Sequence, residues 1–496
     1  MAVDIGTSSV RAAMFDEKGK QLGIASLEYP LICSEAGMAE LDPELVFSSI
    51  LKVVKGCVDK AGVSASDIGA MGFSTQMHSF LAVDKEGKCL TNVMTWADNR
   101  PIRQAEYIAK NYDCMKLYSA TGCRVHHPMY PLSKILWIKE EKPEIFNKVY
   151  KFISIKTYVF FKLFSQFVTD YTDASASACF NIHTFKWDSD ILDNVLGISE
   201  NMLGEPVECT HVLKGMKKEY AGLMGINSDM PVVAGSGDGI MANLGCGVFD
   251  DTSMSCTVGT SGALRIAVDK PLIDPQQRTW CYCFTRDTWV AGGAINNGGI
   301  VLKWIRDNYK AQFDEDMKQQ GISNYYKLFD KFAAEVDPGS DGLLFLPLLT
   351  GERSPNWNAA ARGIMYGLDI RHGRKHFIRA SMEGVIYRLF SVYEAITAIN
   401  SNVRQIKANG GYAKSDIWLQ MQADIFNKEI AVAGIDEASV FGAAYNAMAA
   451  VGAVNSLKSG ISVMEPSRVI KPNPENTEMY REQFRLFKDI YNKIYK

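Results

Sequence analysis

The order of apolar and polar residues along the chain predicts alternating strands and helices. Residues 2–20 contain an apolar run, a Gly-Thr-Ser turn, a second apolar run and a charged turn that closes on Gly19, which is typical of a β-hairpin. Residues 70–74 form a further strand candidate, and residues 131–141 have a helical pattern. Apolar residues between 377 and 396 recur every three to four positions, as on the buried face of a helix. This alternation predicts an α/β fold.

The first hairpin has a second copy about half a chain later. Residues 253–266 repeat the strand, the Gly-Thr-Ser turn and the strand, with Gly259 in the place of Gly6. A repeat at this spacing predicts two lobes built on the same plan, each offering a Gly-Thr-Ser loop to a groove between them. The 496 residues also exceed the roughly 250–300 that a single core usually supports. We therefore predict an N-terminal lobe of residues 1–245 and a C-terminal lobe of residues 246–496.

Charge and cysteine content exclude several classes of protein. The net charge of −3 provides no basic field for a nucleic acid backbone. The most apolar long stretch, residues 149–168, contains Lys151, Lys156 and Lys162, so no membrane-spanning helix is expected. The N-terminus has no secretory signal and the 11 cysteines include no CxxC pair, so we expect reduced thiols and a cytoplasmic location. The expected partner is a small molecule, with no nucleic acid and no membrane, and the oligomeric state is left open, with a homodimer as one option.

Two loops in the sequence suit phosphate groups. The chain contains no G-x-x-x-x-G-K-[ST], G-x-G-x-x-G, G-x-S-x-G or H-E-x-x-H motif. Instead, the first loop, Gly6-Thr7-Ser8, and the second loop, Gly259-Thr260-Ser261, offer backbone N–H groups and hydroxyls to phosphate oxygens. One such turn is more often a hairpin corner, but two at half-chain separation fit a bipartite nucleotide clamp better. Asp4, just ahead of the first loop, could hold Mg²⁺ where the ion bridges phosphate oxygens.

A carboxylate follows an apolar strand at Asp238. Residues 232–237 are apolar and rich in glycine, and a helical run through Ala242 and Leu244 comes next. Strand ends in α/β folds face the ligand crevice, where a carboxylate could accept the proton of an alcohol that attacks a phosphate. Asp is also a favoured helix-capping residue, and the spacing alone favours neither interpretation.

Two further segments have the side chains that bind polyols. The Gln76 segment (residues 76–79) contains Gln76, Met77 and His78, and the Trp96 segment (residues 95–100) contains Trp96, Asp98 and Arg100. Each places hydrogen-bonding groups just after an apolar run, together with an aromatic plane. Taken singly, His78 is more often a half-buried histidine and Arg100 a surface ion pair. Together, the two segments predict a sugar site.

Motifs in a characteristic order connect these features to a known family. They lie at residues 4–8, 129–141, 237–238, 257–261, 363–368, 376–383 and 409–411. On these motifs the chain resembles the FGGY family of carbohydrate kinases from residue 3 to about residue 450. The resemblance implies the two-lobed actin-like ATPase (ribonuclease H-like) fold, a duplicated domain with a central cleft. It also implies ATP and Mg²⁺ as cofactors and a sugar or sugar acid as substrate.

The resemblance also implies roles for single residues. Asp238 would be the general base, and Asp4 and Asp238 would lie near Mg²⁺. The first and second loops would bind phosphate. Adenine would lie against three glycines with a serine in reach, namely Gly299, Gly410, Gly411 and Ser415. The role of Lys303 is left open.

The resemblance extends to a substrate class. Within the family, the Gln76 segment, the Trp96 segment and residues 121–129 look most like gluconate kinases. Gluconate has a carboxylate that xylulose lacks, and an arginine binds a carboxylate through two parallel hydrogen bonds. The candidates are Arg100, Arg124, His127 and Lys134, of which we favour Arg124 or His127. The resemblance therefore implies transfer of the γ-phosphoryl group of ATP to O6 of D-gluconate. A ketopentose kinase, a sugar-binding protein without turnover and a sugar-independent ATPase stay open as alternatives.

Overall fold

The structure is a computed structural model that describes residues 1–495. It divides into two compact units that interleave along the chain. The first unit comprises Met1–Phe249, Ala267–Ala291 and Glu437–Met464, and the second comprises Asp250–Ile266, Gly292–Asp436 and Glu465–Lys496. The predicted lobes, residues 1–245 and 246–496, are continuous in sequence, whereas each compact unit is made of three segments. The domain limits of the sequence analysis therefore stay a prediction.

Short strands and helices alternate through residues 1–249, as the apolar pattern predicts. The strands are β1 Ala2–Ile5, β2 Ser9–Phe15, β3 Gln21–Glu28, β4 Glu40–Leu41, β5 Met71–Thr75, β6 Leu81–Val83, β7 Val93–Met94, β8 Lys151–Ile153, β9 Val168–Asp170, β10 Phe180–Asn181, β11 Lys186–Trp187, β12 Glu205–Val207, β13 Val212–Leu213 and β14 Val232–Gly237. The α-helices are α1 Pro43–Ala61, α2 Ile102–Asn111, α3 Cys114–Thr121, α4 Pro131–Glu141, α5 Pro143–Phe146, α6 Ile155–Phe164, α7 Tyr171–Ser175, α8 Lys218–Met224 and α9 Asp238–Gly245.

The rest of the described chain continues the alternation. Its strands are β15 Ser253–Val258, β16 Gly262–Val268, β17 Trp280–Thr285, β18 Thr288–Ile295, β19 Leu344–Leu346, β20 Ile364–Tyr366, β21 Gln405–Asn409, β22 Glu429–Val432 and β23 Arg468–Ile470. Its α-helices are α10 Ile300–Asn308, α11 Lys310–Gln320, α12 Tyr325–Ala334, α13 Arg374–Thr397, α14 Asp416–Phe426, α15 Ala438–Ala450 and α16 Pro474–Tyr495. Helices α4 and α13 confirm the helices predicted at residues 131–141 and 377–396.

The same sheet topology occurs twice. In the first unit, β1 pairs antiparallel with β2 and parallel with β5, β5 pairs parallel with β14, and β14 pairs antiparallel with β13. Strand β15 likewise pairs antiparallel with β16 and parallel with β21, β21 pairs parallel with β22, and β22 pairs antiparallel with β23. The duplication predicted from the two Gly-Thr-Ser turns is therefore confirmed. Each turn joins the first two strands of its copy.

Helix α15 packs on strand β5 and helix α9 of the first unit through glycines. A Cβ at Gly72 in β5 would lie 2.2 Å from the carbonyl oxygen of Ala443. A Cβ at Gly245 in α9 would lie 2.0 Å from that of Ala438. No side chain fits at these distances, so the close approach of α15 requires glycine at both positions. This packing is why the late segment Glu437–Met464 belongs to the first unit.

The described chain agrees with the expectation of reduced thiols. All 11 cysteines are free thiols, and Cys281 and Cys283 are both buried. Lys156, which interrupts the apolar stretch, is buried in α6 and forms an ion pair of 2.6 Å with Asp170. None of the helices among residues 1–495 combines the length and the apolar character that crossing a bilayer requires.

Candidate active site

The first loop connects β1 to β2 and is fixed by its own backbone and by a tyrosine. The N–H of Gly6 donates to the carbonyl oxygen of Ser9 at 2.9 Å. The hydroxyl of Tyr29 donates to the carbonyl oxygen of Gly6 at 2.6 Å, and the N–H of Tyr29 donates to that of Ser8 at 3.0 Å. Sequence reasoning missed Tyr29, which directly follows β3, because no motif surrounds it. The loop therefore has a defined shape, and Ser8 at its tip is exposed.

Both predicted sugar segments are hydrogen-bonded to the first loop. The indole Nε1 of Trp96 donates to Thr7 Oγ1 at 3.0 Å. The Thr7 hydroxyl donates to Gln76 Oε1 at 3.0 Å, and Gln76 Nε2 donates to the carbonyl oxygen of Gly6 at 3.1 Å. Residues far apart in sequence thus meet at one hydroxyl. Because Thr7 donates its hydroxyl hydrogen to Gln76, that hydroxyl has no hydrogen left to donate to a phosphate.

Asp4 lies at the end of β1, opposite Ser74 of β5. The Ser74 hydroxyl donates to Asp4 Oδ1 at 2.6 Å, and the Ser439 hydroxyl donates to Oδ2 at 3.2 Å. Burial raises the pKa of Asp4, while the two serine hydrogen bonds and Arg11 lower it. Each carboxylate oxygen keeps a lone pair, and oxygen ligands suit Mg²⁺. Among residues 1–495 no group of three or more His, Cys, Asp or Glu side chains is placed to hold a metal ion.

Asp238 is the first residue of α9, directly after β14. The N-cap position is occupied by Gly237, so the interpretation of Asp238 as the capping residue is wrong. The N–H of Gly239 donates to Asp238 Oδ1 at 2.6 Å, and the side chain is half-buried. A Cβ at Gly237 would lie 2.5 Å from Cγ of Met77, so the Met77 side chain packs closely on this strand end. The chain thus brings Met77 next to the strand end that carries Asp238.

His78 has a left-handed backbone conformation, with φ of 63°. Its Nδ1 lies 2.8 Å from the carbonyl oxygen of Ala176, and its ring meets those of Tyr130 and Tyr282 edge to face. A non-glycine residue in this conformation is uncommon and needs support from its surroundings. The ring is half-buried with a paired nitrogen, as the alternative interpretation of His78 anticipated.

Asp98 and Arg100 form an ion cluster with two glutamates. The Arg100 guanidinium donates to Asp98 Oδ2 at 2.7 Å, to Glu35 at 3.1 Å and to Glu40. Burial lowers the pKa of Arg100, but the hydrogen bonds to Asp98 and Glu40 outweigh it and raise the pKa. Asp98 is fully buried and also accepts from the N–H of Ala39. These contacts build the Trp96 segment, so the predicted substrate roles of Asp98 and Arg100 stay predictions that this geometry does not favour.

Arg124 and His127 lie between α3 and α4. Arg124 Nη1 donates to the carbonyl oxygen of Gln277 at 3.3 Å, and burial lowers the pKa of its guanidinium. His127 Nδ1 accepts from the N–H of Met129 at 3.2 Å. Both side chains are half-buried. A partly desolvated arginine binds a carboxylate more strongly than an exposed one, because water competes less.

The second unit contains a cavity of about 430 Å³ beside the second loop. This volume is in the usual range for small-molecule pockets. Five of the predicted nucleotide residues line it: Gly259, Thr260, Gly299, Gly411 and Ser415. Ser261 and Gly410 are chain neighbours of this lining. The structure therefore brings the predicted adenine and phosphate residues of the second unit together around one space.

Glycines allow the second loop to contact the start of α10. The N–H of Gly299 donates to the carbonyl oxygen of Gly259 at 2.7 Å, and the N–H of Ile300 donates to that of Thr260 at 3.2 Å. A Cβ at Gly298 would lie 2.5 Å from the carbonyl oxygen of Ser261. Gly410 has φ of 89°, which a side chain would disfavour. The loop and the helix start thus form one wall of the cavity.

The cavity is also lined by polar and aromatic side chains, several of which sequence reasoning missed. Ser415 caps α14 by accepting from the N–H of Trp418 at 3.2 Å, as its sequence position predicts, and donates to Asp330 Oδ1 at 2.6 Å. Burial raises the pKa of Asp330. Lys303 lines the cavity and pairs with Asp307 at 2.8 Å. The lining residues that were missed include Asp330, Asn324, Tyr326 and Lys327 in or beside α12, where no glycine motif marks them. Lys414, in the turn after Gly410, was missed as well.

Fold and site together define the class of protein. A duplicated α/β sheet with a Gly-Thr-Ser loop in each copy is the actin-like ATPase fold, which solved carbohydrate kinase structures share with this chain. The N-terminal domain model of the FGGY family of carbohydrate kinases matches residues 1–245, and its C-terminal domain model matches residues 254–451. The chain belongs to this family and is an ATP-dependent carbohydrate kinase.

Similar proteins include both gluconate and xylulose kinases. The chain is 40% identical over 492 residues to the gluconokinase of Bacillus licheniformis, covering 98% of this chain and 94% of that protein. The solved gluconate kinase of Lactobacillus acidophilus has a TM-score of 0.91 and 33% identity, covering 99% of this chain and 97% of its own. The solved ligand-bound xylulose kinase of the same organism has a TM-score of 0.93 and 33% identity, and the match covers 100% of this chain and 98% of that one.

Proposed function

We propose that this protein transfers the γ-phosphoryl group of ATP to O6 of D-gluconate. The main support for the sugar site is that the Thr7 hydroxyl donates to Gln76 and accepts from Trp96, and so joins the two segments. A polyol bound by these two segments lies beside a loop suited to phosphate. The choice of gluconate is supported by the 40% identity to a gluconokinase over nearly the full chain.

In the proposed reaction, Asp238 accepts the proton of the O6 hydroxyl as O6 attacks the γ-phosphorus. The O6–P bond forms, the bond from phosphorus to the bridging oxygen breaks, and its electron pair leaves with ADP. A general base must reach the hydroxyl within hydrogen-bond distance, and a half-buried carboxylate at a strand end is accessible to it. Mg²⁺, when bound, supplies positive charge to the phosphoryl oxygens, and Asp4 and Asp238 are the carboxylates that would hold it.

Arg124 or His127 is proposed to bind the sugar carboxylate. Of the four basic candidates, Arg100 is paired with three carboxylates and Lys134 bonds to backbone carbonyls. Arg124 and His127 also bond to the backbone, each through one nitrogen at 3.3 Å and 3.2 Å, and we propose these two half-buried side chains for the substrate. In the second unit, the cavity lined by Gly299, Gly411 and Ser415 is proposed to hold adenine.

An ADP-release assay tests this proposal. D-gluconate, D-xylulose, D-ribulose, glycerol and no sugar are compared, each with and without Mg²⁺. We expect the highest kcat/KM with D-gluconate, no ADP release without sugar, and loss of activity when Mg²⁺ is withheld. A ketopentose kinase is the second candidate, since the xylulose kinase structure has the slightly higher TM-score. Good activity on D-xylulose with none on D-gluconate would favour it.

A further inference from the structure

Lys134 is a buried lysine that bonds to both sugar segments. It lies in the first turn of α4 and has no exposed surface. Its Nζ donates to the carbonyl oxygen of His78 at 2.6 Å, to that of Thr95 at 2.8 Å and to that of Met94 at 3.4 Å. His78 belongs to the Gln76 segment and Thr95 begins the Trp96 segment. One amine therefore connects two segments that are separate in sequence.

The number of hydrogen bonds matches the charged form of the lysine. An ammonium has three donors and no acceptor, and here three carbonyl oxygens receive them. Burying an ammonium is costly, and Nζ forms no ion pair with a carboxylate of residues 1–495. Burial lowers the pKa of Lys134 to about 7, with the Asp98 carboxylate raising it and Arg100 lowering it. The three hydrogen bonds from Nζ to the backbone carbonyls are thus the interactions that compensate for burying this amine.

The bond to His78 supports a backbone that is otherwise disfavoured. His78 has φ of 63°, in the left-handed region that few non-glycine residues adopt. Its ring nitrogen pairs with Ala176, and its carbonyl oxygen is fixed by Lys134. Without Lys134, one of these two restraints on the conformation is lost. The backbone at the His78 end of the Gln76 segment would then be held less firmly against the Trp96 segment.

We propose that Lys134 is a positioning residue that holds the Gln76 and Trp96 segments in the arrangement that binds the sugar. The proposal rests on the proposed sugar-binding role of these segments and adds a residue that does not touch the substrate. It also argues against Lys134 as one of the four candidates for the sugar carboxylate, because its donors are used by carbonyls in the protein interior. A preformed set of groups binds a polyol more tightly than groups that must be ordered on binding.

The test compares two lysines on the same helix. Lys134→Met keeps the length of the stem and removes the ammonium. Lys139→Met is the matched control, because Lys139 also lies on α4 and its Nζ donates to a carbonyl oxygen at 2.6 Å, but that oxygen belongs to Leu196. Lys134→Gln is made as well, because it keeps two N–H donors and has no charge to bury.

Steady-state kinetics are measured with whichever sugar the unmodified chain phosphorylates, so a failure of D-gluconate as substrate leaves this test intact. We expect Lys134→Met to raise the KM for the sugar by roughly tenfold or more, with the KM for ATP within about twofold. Lys134→Gln should raise the sugar KM less, and Lys139→Met should change neither KM.

Three outcomes would overturn the proposal. The first is a folded Lys134→Met protein with an unchanged sugar KM. The second is an equal rise in the KM of sugar and ATP, which would indicate a general loss of structure. The third is failure of both Lys134 variants to fold while Lys139→Met folds, which would make Lys134 a support of the fold alone.

Discussion

Replacing Thr7 with valine removes the hydroxyl at which the two sugar segments meet. Valine has nearly the same shape but no hydroxyl, so the exchange tests the hydroxyl and is not a neutral swap. Two hydrogen bonds are lost, the one donated to Gln76 and the one accepted from Trp96. Each contributes about 0.5–1.5 kcal/mol net, so the total loss is about 1–3 kcal/mol. Since both segments contact the sugar in the proposed site, this corresponds to a rise in Kd of roughly 5- to 150-fold.

The Kd for D-gluconate is measured by calorimetry without nucleotide, and urea unfolding monitors the stability of the variant. Thr260→Val is the matched control, because Thr260 holds the same place in the second loop and lines the nucleotide cavity. We expect its Kd for D-gluconate to be unchanged and its KM for ATP to rise. A Thr7→Val protein that binds D-gluconate within about twofold of the unmodified chain would refute the reasoning that Thr7 links the sugar segments.

Three further predictions concern the proposed base, the sugar carboxylate and the nucleotide cavity. Asp238→Asn should lower kcat by about 10²–10⁴-fold while calorimetry shows nearly unchanged binding of sugar and ATP, because the lost interaction belongs to the transition state; near-normal turnover would contradict the role of Asp238. Arg124→Ala should raise the KM for D-gluconate by roughly ten- to a hundredfold, since a charge-assisted hydrogen bond contributes about 1.5–3 kcal/mol, and should leave the KM for D-xylulose nearly unchanged. Equal effects on both sugars would argue against a carboxylate contact. Ser415→Ala removes the cap of α14 and the hydrogen bond to Asp330, so we expect the free energy of unfolding to fall by about 1 kcal/mol and the KM for ATP to rise severalfold, with the KM for the sugar unchanged. A rise in the sugar KM alone would argue against a role of Ser415 in nucleotide binding.

Local patterns predicted the elements that carry the site. The hairpins around Gly6 and Gly259 were visible because glycine and hydroxyl residues interrupt apolar strands at the same place in each copy. Asp238 was visible because it follows an apolar run directly, and Ser415 because it precedes a helical pattern. These features depend on neighbours in sequence, so a single chain is enough to find them.

Long-range contacts could not be predicted in the same way. The return of α15 to the first sheet depends on glycines that are far from it in sequence, such as Gly72. Arg100 looked like a substrate group, but Glu35 and Glu40 approach it from another part of the chain. Asp330 lies on a helix with an ordinary amphipathic pattern and faces the cavity only in the folded unit. In each case the deciding neighbour is distant in sequence, and no local signal identifies it.

The central claim is that a sugar hydroxyl is phosphorylated from ATP and that this sugar is D-gluconate. The most direct measurement is kcat/KM for D-gluconate and for D-xylulose in the same ADP-release assay, with the phosphorylated position identified by ³¹P–¹H NMR. We predict a clear preference for D-gluconate and a product phosphorylated at O6. A preference for D-xylulose, or ADP release that does not depend on sugar, would contradict the account.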